Sequence, residues 1–159
     1  MQIIKSQTDK EIRINSETLE SVVLDNYDMH RAILTSTNLT NSSFIGANLR
    51  GVDLEGSILT NANLTDAFLM VANLKGTTLL NSKMVNSKLN GADLCGSDLS
   101  NANLLGADVW KADFRDSKLL GTNMNCVRLE EAYLEGAIYN NLTIWPNGFT
   151  PEKYGAIKC

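Results

Sequence analysis

Aromatic side chains make up only 6% of this 159-residue chain, and proline occurs twice. A single domain of this length has enough chain to bury a sizeable core. With so few rings that core has to be aliphatic, and an apolar fraction of 43% supplies the material. Excess positive charge is also missing: 14 Lys and Arg stand against 18 Asp and Glu, for a net charge of −4. That leaves no basic footprint for a phosphate backbone, so no direct nucleic-acid binding is expected. No stretch approaches the ~18 consecutive apolar residues of a membrane span. The opening Met1–Ile14 segment holds neither an apolar run of signal-peptide length nor a small-residue cleavage site. Cys95, Cys126 and Cys159 are scattered without CxxC spacing, and an odd, unpaired set suits a reducing compartment. The expected location is cytoplasmic.

What the chain does have is a period of five. From Leu24 to Leu134 every fifth residue is Leu, Met, Phe or Val. Of these 23 positions 17 are Leu, and the others are Met29, Phe44, Met84, Val109, Phe114 and Met124. The phase runs without a break. An α-helix cannot explain it, because a 3.6-residue turn would carry a five-residue repeat around the whole cylinder. Two residues before each centre stands Ala, Ser or Thr, except at Val22, Tyr27, Val52 and Val127. Two residues after it stands Gly or Asn in 15 of the 23 repeats, and nine of the eleven glycines fall in that phase. The large and the small residue fit a narrow tube, one of each per step, at interior packing density. Gly and Asn tolerate the positive φ that the third position of a type II turn requires. The backbone is therefore expected to turn every five residues.

Segments such as Gly91-Ala-Asp-Leu94, Asn61-Ala-Asn-Leu64 and Asn101-Ala-Asn-Leu104 resemble the A(D/N)LXX consensus of the pentapeptide-repeat family. The resemblance implies an all-β fold: a right-handed quadrilateral β-helix, a solenoid with terminal caps, in which four pentapeptides make one square coil. The expected organisation is an N-terminal cap over 1–21, a repeat helix over 22–138 with 23 tandem repeats in about six coils, and a C-terminal cap with a short helix over 139–159. At strand-like spacing of ~4.8 Å per coil the rod would be roughly 28 Å long. A 20-residue coil also stacks Asn41, Asn61, Asn81, Asn101 and Asn141 at one corner, broken only by Gly121. Such a column is suited to an amide ladder.

At the start, Ile12-Arg-Ile14 alternates like a strand, and polar Glu17 makes the first coil atypical, as a cap should be. At the end, Thr150-Pro151-Glu152 reads as a helix start, with Ile144, Trp145 and Phe149 covering the last coil. The stretch Trp145-Pro146-Asn147-Gly148-Phe149, followed by Pro151, resembles the tails of cyanobacterial members.

Chemistry has little foothold. His30, the single histidine, follows a centre and points outward, and a convex rod offers no pocket for catalytic partners. Cys95 and Cys126 are expected as surface thiols on a wall or corner. The column Asp53, Asp93, Asp113 is expected to bond to neighbouring backbone rather than to a metal. No catalytic, cofactor or metal site is assigned.

The outward residues divide by face. One face carries Ile45, Val85 and Leu105, the preceding one Leu80 and Leu120, and another Phe68, Met70, Val71 and Trp110. The remaining face is acidic, where Asp53, Glu55, Asp93, Asp113, Asp116 and Glu135 outnumber Lys75 and Arg115. Aligned apolar ladders make contact patches. The expected function is a non-enzymatic protein-interaction or scaffold module, monomeric or weakly homodimeric, with no membrane partner. The resemblance also implies an alternative, a DNA-mimicking inhibitor or protector of a type II topoisomerase such as gyrase. The modest net charge, the uninterrupted repeats and the short tail weigh against it.

Overall fold

The five-residue period governs the fold because every period ends in a turn. In the computed structural model, which describes residues 1–8 and 10–159, every fifth residue from Ser21 to Gly121 has positive φ. Each is the third residue of a β-turn, closed for example by Ala62 N–H donating to Leu59 O at 3.0 Å. Gly and Asn predominate there because a Cβ beside the left-handed backbone costs energy. Val71, at φ 50°, is the position where a β-branched side chain tolerates that cost.

Four turns return the chain over itself. Parallel bridges join residues 20 apart, such as Val23↔Ser43, Asn48↔Phe68, Asp53↔Asn73 and Ile58↔Thr78. Around one step, Leu64 N–H donates to Lys83 O at 2.6 Å, Asp66 N–H to Val85 O at 2.9 Å and Asn63 N–H to Ser42 O at 2.9 Å. The ladder is thus a stack of short bridges between turns. Leu64, Leu69, Leu74 and Leu79, one from each wall of a coil, are all fully buried. Burying each contributes about 1.5–3 kcal/mol, against ~1–2 kcal/mol of backbone ordering per residue, so stability depends on nearly every centre being filled.

Serine and threonine in the small slot keep their hydroxyls bonded in this dry interior. Ser57 Oγ donates to Leu54 O at 2.5 Å, Thr77 Oγ1 to Leu74 O at 2.7 Å and Ser97 Oγ to Leu94 O at 2.7 Å. Ser82 Oγ departs from this, buried with no partner among the described residues. At the Asn corner, Asn61 Nδ2 donates to Asn41 Oδ1 at 3.0 Å and Asn81 Nδ2 to Asn61 Oδ1 at 3.3 Å, so the expected amide ladder forms over these three. The 21-residue step Asn123↔Ile144 puts Leu142 rather than Asn141 in line with Gly121.

Both ends are closed. Strands β1 (Gln2–Lys5) and β2 (Glu11–Ile14) form an antiparallel hairpin. It lies on the first coil through Ile33 N–H to Lys5 O at 2.8 Å and Gln7 N–H to Arg31 O at 2.9 Å, and buries Ile4, Ile12 and Ile14. At the other end β3 (Ile138–Tyr139) pairs in parallel with β4 (Ile157–Lys158). Tyr139, Trp145, Phe149 and Tyr154 contact in series, with ring centroids 5.3, 5.5 and 4.7 Å apart. The short helix is a 3-10 turn, Pro151–Tyr154, and Thr150 precedes it without a side-chain cap bond.

The last coil departs from the sequence pattern. Bridges run Asp108↔Val127 and Asn123↔Ile144, steps of 19 and 21 residues, so the structural phase slips although the apolar phase does not. Cys126 moves into the small inward slot, Val127 turns outward, and Arg128 takes the left-handed position at φ 60° before Leu129 re-enters the core. Cys126 is therefore a buried core thiol and not the surface thiol expected. Ile144 continues an outward column opposite Asn123 and is 54% exposed, so the covering falls to Trp145 and Phe149.

Candidate functional site

The walls are what the capped rod presents. The first wall has centres Leu24, Phe44, Leu64, Met84, Leu104 and Met124; the second begins at Met29, the third at Leu34 and the fourth at Leu39. On the first wall Ile45 and Val85 are half-buried and Leu105 is 43% exposed, but Thr65 stands between Ile45 and Val85. Leu80 and Leu120 of the fourth wall are half-buried and separated by Ser100. Neither ladder is continuous over three coils. The second wall differs, because Phe68, 41% exposed, shares a coil with Met70 and with Val71 at the adjoining corner.

That wall also carries cations. The Arg50 guanidinium lies 6.0 Å from the Phe68 ring centre, and Trp110 has Lys111 Nζ at 4.6 Å and the Arg128 guanidinium at 5.6 Å. Cation–aromatic contacts of this kind hold the rings in place at the surface. The sequence pattern missed these cations because they occupy different phases: Arg50 after a centre, Lys111 at a corner, Arg128 in the slipped coil. The two arginines share a signal, a spacing of 18 residues, near one coil, from an aromatic residue, whereas Lys111 directly follows Trp110. Burial would raise the Asp108 carboxyl, but hydrogen bonds led by the Arg128 guanidinium hold it below its ordinary value.

The acidic third wall is largely bound up in its own backbone. Asp53, Asp93 and Asp113 each accept the N–H two residues on, from Glu55 at 3.3 Å, Cys95 at 2.9 Å and Arg115 at 3.0 Å. These are Asx turns, the local role expected of the column. Asp113 is further paired with Arg115, whose hydrogen bonding keeps the carboxyl below its usual range. Burial, with Asp113 and Asp93 nearby, raises the Cys95 thiol. Burial pushes the Cys126 thiol up to about 12. His30 is exposed, its backbone N–H on Asp28 Oδ1 at 3.3 Å. Among the described residues no three His, Cys, Asp or Glu side chains converge as a metal site would need. Among the described residues no helix is long and apolar enough to cross a membrane.

With this geometry in hand, the comparisons agree on the class. The model for pentapeptide repeats matches in eight copies, over overlapping segments that run from residue 24 to residue 138. The chain belongs to the pentapeptide-repeat family. It is similar to a pentapeptide repeat protein of Nostoc PCC 7120, with 34% identity over 64% of this chain and 84% of that one and a TM-score of 0.62. A pentapeptide repeat protein of the Arabidopsis thaliana thylakoid lumen is 25% identical over 63% of this chain and 66% of its own, with a TM-score of 0.55. HetL of Nostoc sp. PCC 7120, involved in heterocyst differentiation regulation, shares the fold at 21% identity, 87% and 81% coverage and a TM-score of 0.53. No curated protein matches the sequence.

Proposed function

We propose that this chain is a non-enzymatic interaction module that docks a protein partner on its second wall, around Phe68, Met70 and Trp110. The coils are read as right-handed and square, as in the family, and the module as cytoplasmic and monomeric or weakly dimeric. The observation that carries the reading is the exposed Phe68 ring beside Arg50, with half-buried Met70 on the same coil and half-buried Trp110 two coils on, flanked by Lys111 and Arg128. Aromatic and arginine side chains are the usual anchors of protein interfaces. Both ends of the coil stack are occupied by caps, which favours lateral docking over strand addition.

The test is capture from the native organism with wild type, a Phe68→Ser/Trp110→Ser double variant, and an Ile45→Lys/Val85→Lys/Leu105→Lys triple variant. A partner kept by the triple variant and lost by the double variant is expected. Equal recovery with the double variant removes the second wall, and loss only with the triple variant moves the site to the first. Light scattering on the same samples reports the oligomeric state. DNA mimicry of a topoisomerase substrate draws on the third wall, where Asx turns and Arg115 occupy much of the carboxylate surface. A gyrase supercoiling assay separates the readings: no inhibition and no drug protection at excess protein are expected.

A further inference from the structure

The corner between the second and third walls runs Arg31, Gly51, Val71, Gly91, Lys111, each stacked one coil from the next. Gly51 has no side chain, so a notch opens between Arg31 and Val71, whose backbones lie about 10 Å apart at two coil spacings. The notch forms a cleft of about 410 Å³ lined by Arg31 and Arg50, with His30 and Gln7 at its N-terminal side and Asp53 opposite. Its floor, Val52, is fully buried.

The charges here do not neutralise one another. Neither Arg31 nor Arg50 is paired with a carboxylate among the described residues. Of the nearby acids, Asp28 is ion-paired with Lys10, while Asp53 keeps its charge at the cleft's edge and, among the described residues, accepts only from neutral donors. Asp28 accepts from Lys10 at 3.2 Å and Asn48 at 2.9 Å, while Asp53 accepts from Asn73 at 3.0 Å and from the Glu55 N–H. Two guanidinium groups with open donors therefore share one concavity on a protein of net charge −4. Planar guanidinium forks match the paired oxygens of carboxylate and phosphate groups.

We propose that this notch binds a compact oxyanion, phosphoryl or carboxylate, held by Arg31 and Arg50. The notch shares Arg50, Met70 and Val71 with the docking wall, so Arg31→Asn and Gly51→Asn, which leave Phe68 and Trp110 in place, separate the two proposals. The test is titration of the ¹⁵N-labelled protein with inorganic phosphate and, separately, with succinate at fixed ionic strength. Saturable shifts of the Gln7, Gly51 and Val52 amides with at least one anion are expected, and the stronger binder identifies the group. Arg50→Gln and Arg31→Asn, the latter using a residue that suits the left-handed corner, are each expected to weaken binding roughly tenfold. Gly51→Asn, which fills the notch with a residue found at equivalent corners, is expected to abolish it while leaving the far-ultraviolet spectrum unchanged. Non-saturating shifts with both anions, or unchanged affinity in folded Gly51→Asn, would overturn the proposal.

Discussion

Ser82 offers the most selective probe of the coil interior. Its small inward slot is stacked between Ala62 and Ala102, one coil away on either side, so Ala fits the site without a cavity. Its hydroxyl is buried and unpartnered among the described residues, whereas that of Ser97 donates to Leu94 O at 2.7 Å. A buried hydroxyl without a partner costs about 1–3 kcal/mol, and a made hydrogen bond contributes about 0.5–1.5 kcal/mol net. Ser82→Ala is therefore expected to stabilise the protein by about 1 kcal/mol, a rise of about 2–4 °C in Tm for a chain of this size. Ser97→Ala removes a satisfied bond, but Leu94 O keeps the Ser97 N–H at 3.1 Å. Its expected effect is a loss of up to about 1 kcal/mol. Paired urea and thermal melts of the two variants make the comparison. The same sign and size of change in both would refute the reasoning, because the hydroxyl's bonding would then not set its energy.

Other expectations follow from the same geometry. Leu74→Ala should cost about 2–5 kcal/mol for the cavity it leaves, and Leu74→Lys should abolish cooperative unfolding; a near-wild-type thermal midpoint in Leu74→Lys would contradict the filled-axis picture. In a thiol titration of the folded protein, exposed Cys159 should react first, Cys95 more slowly, and Cys126 only on unfolding. Tyr139 donates its hydroxyl to Glu152, which pushes the phenol up to about 12 and the carboxyl below its usual range. The raised phenol stabilises the C-terminal cap below pH 10 and loses that contribution as pH rises towards 12. The lowered carboxyl contributes above its ordinary value and is lost as pH falls through its folded one. Trp145 fluorescence in a Trp110→Phe background should show both transitions, and Tyr139→Phe should remove the alkaline one and shift the acid one towards the ordinary carboxyl value.

The repeat was legible because each of its three columns has one physical task. Leu fills the axis, Ala or Ser fits beside it, and Gly or Asn takes the left-handed corner, so no distant contact is needed to read them. The slip at Val127 was half visible, as the small column failed there. Leu129 kept the apolar phase, and nothing local told that Cys126 would turn inward instead. The outer walls were harder. Ile45, Val85 and Leu105 share a column, yet Thr65 interrupts it, and the value of Phe68 and Trp110 came from cations one turn or one coil away. The Gly51 notch was hidden for the same reason: it is an absence between Arg31 and Val71, 20 residues to either side, and only stacking makes it a cleft.

The whole account rests on residues 20 apart lying directly over one another. Lys75 and Cys95 occupy the same outward position of the third wall in adjacent coils, bracketed by the bridges Asn73↔Asp93 and Thr78↔Asp98. Their backbones are about 4.8 Å apart at coil spacing, within the range a disulfide spans. In a Cys159→Ser background, Lys75→Cys should form an intramolecular disulfide with Cys95 under mild oxidation, and Glu55→Cys, two coils away, should not. A bond from position 55 with none from position 75, read by peptide mapping, would contradict the coil.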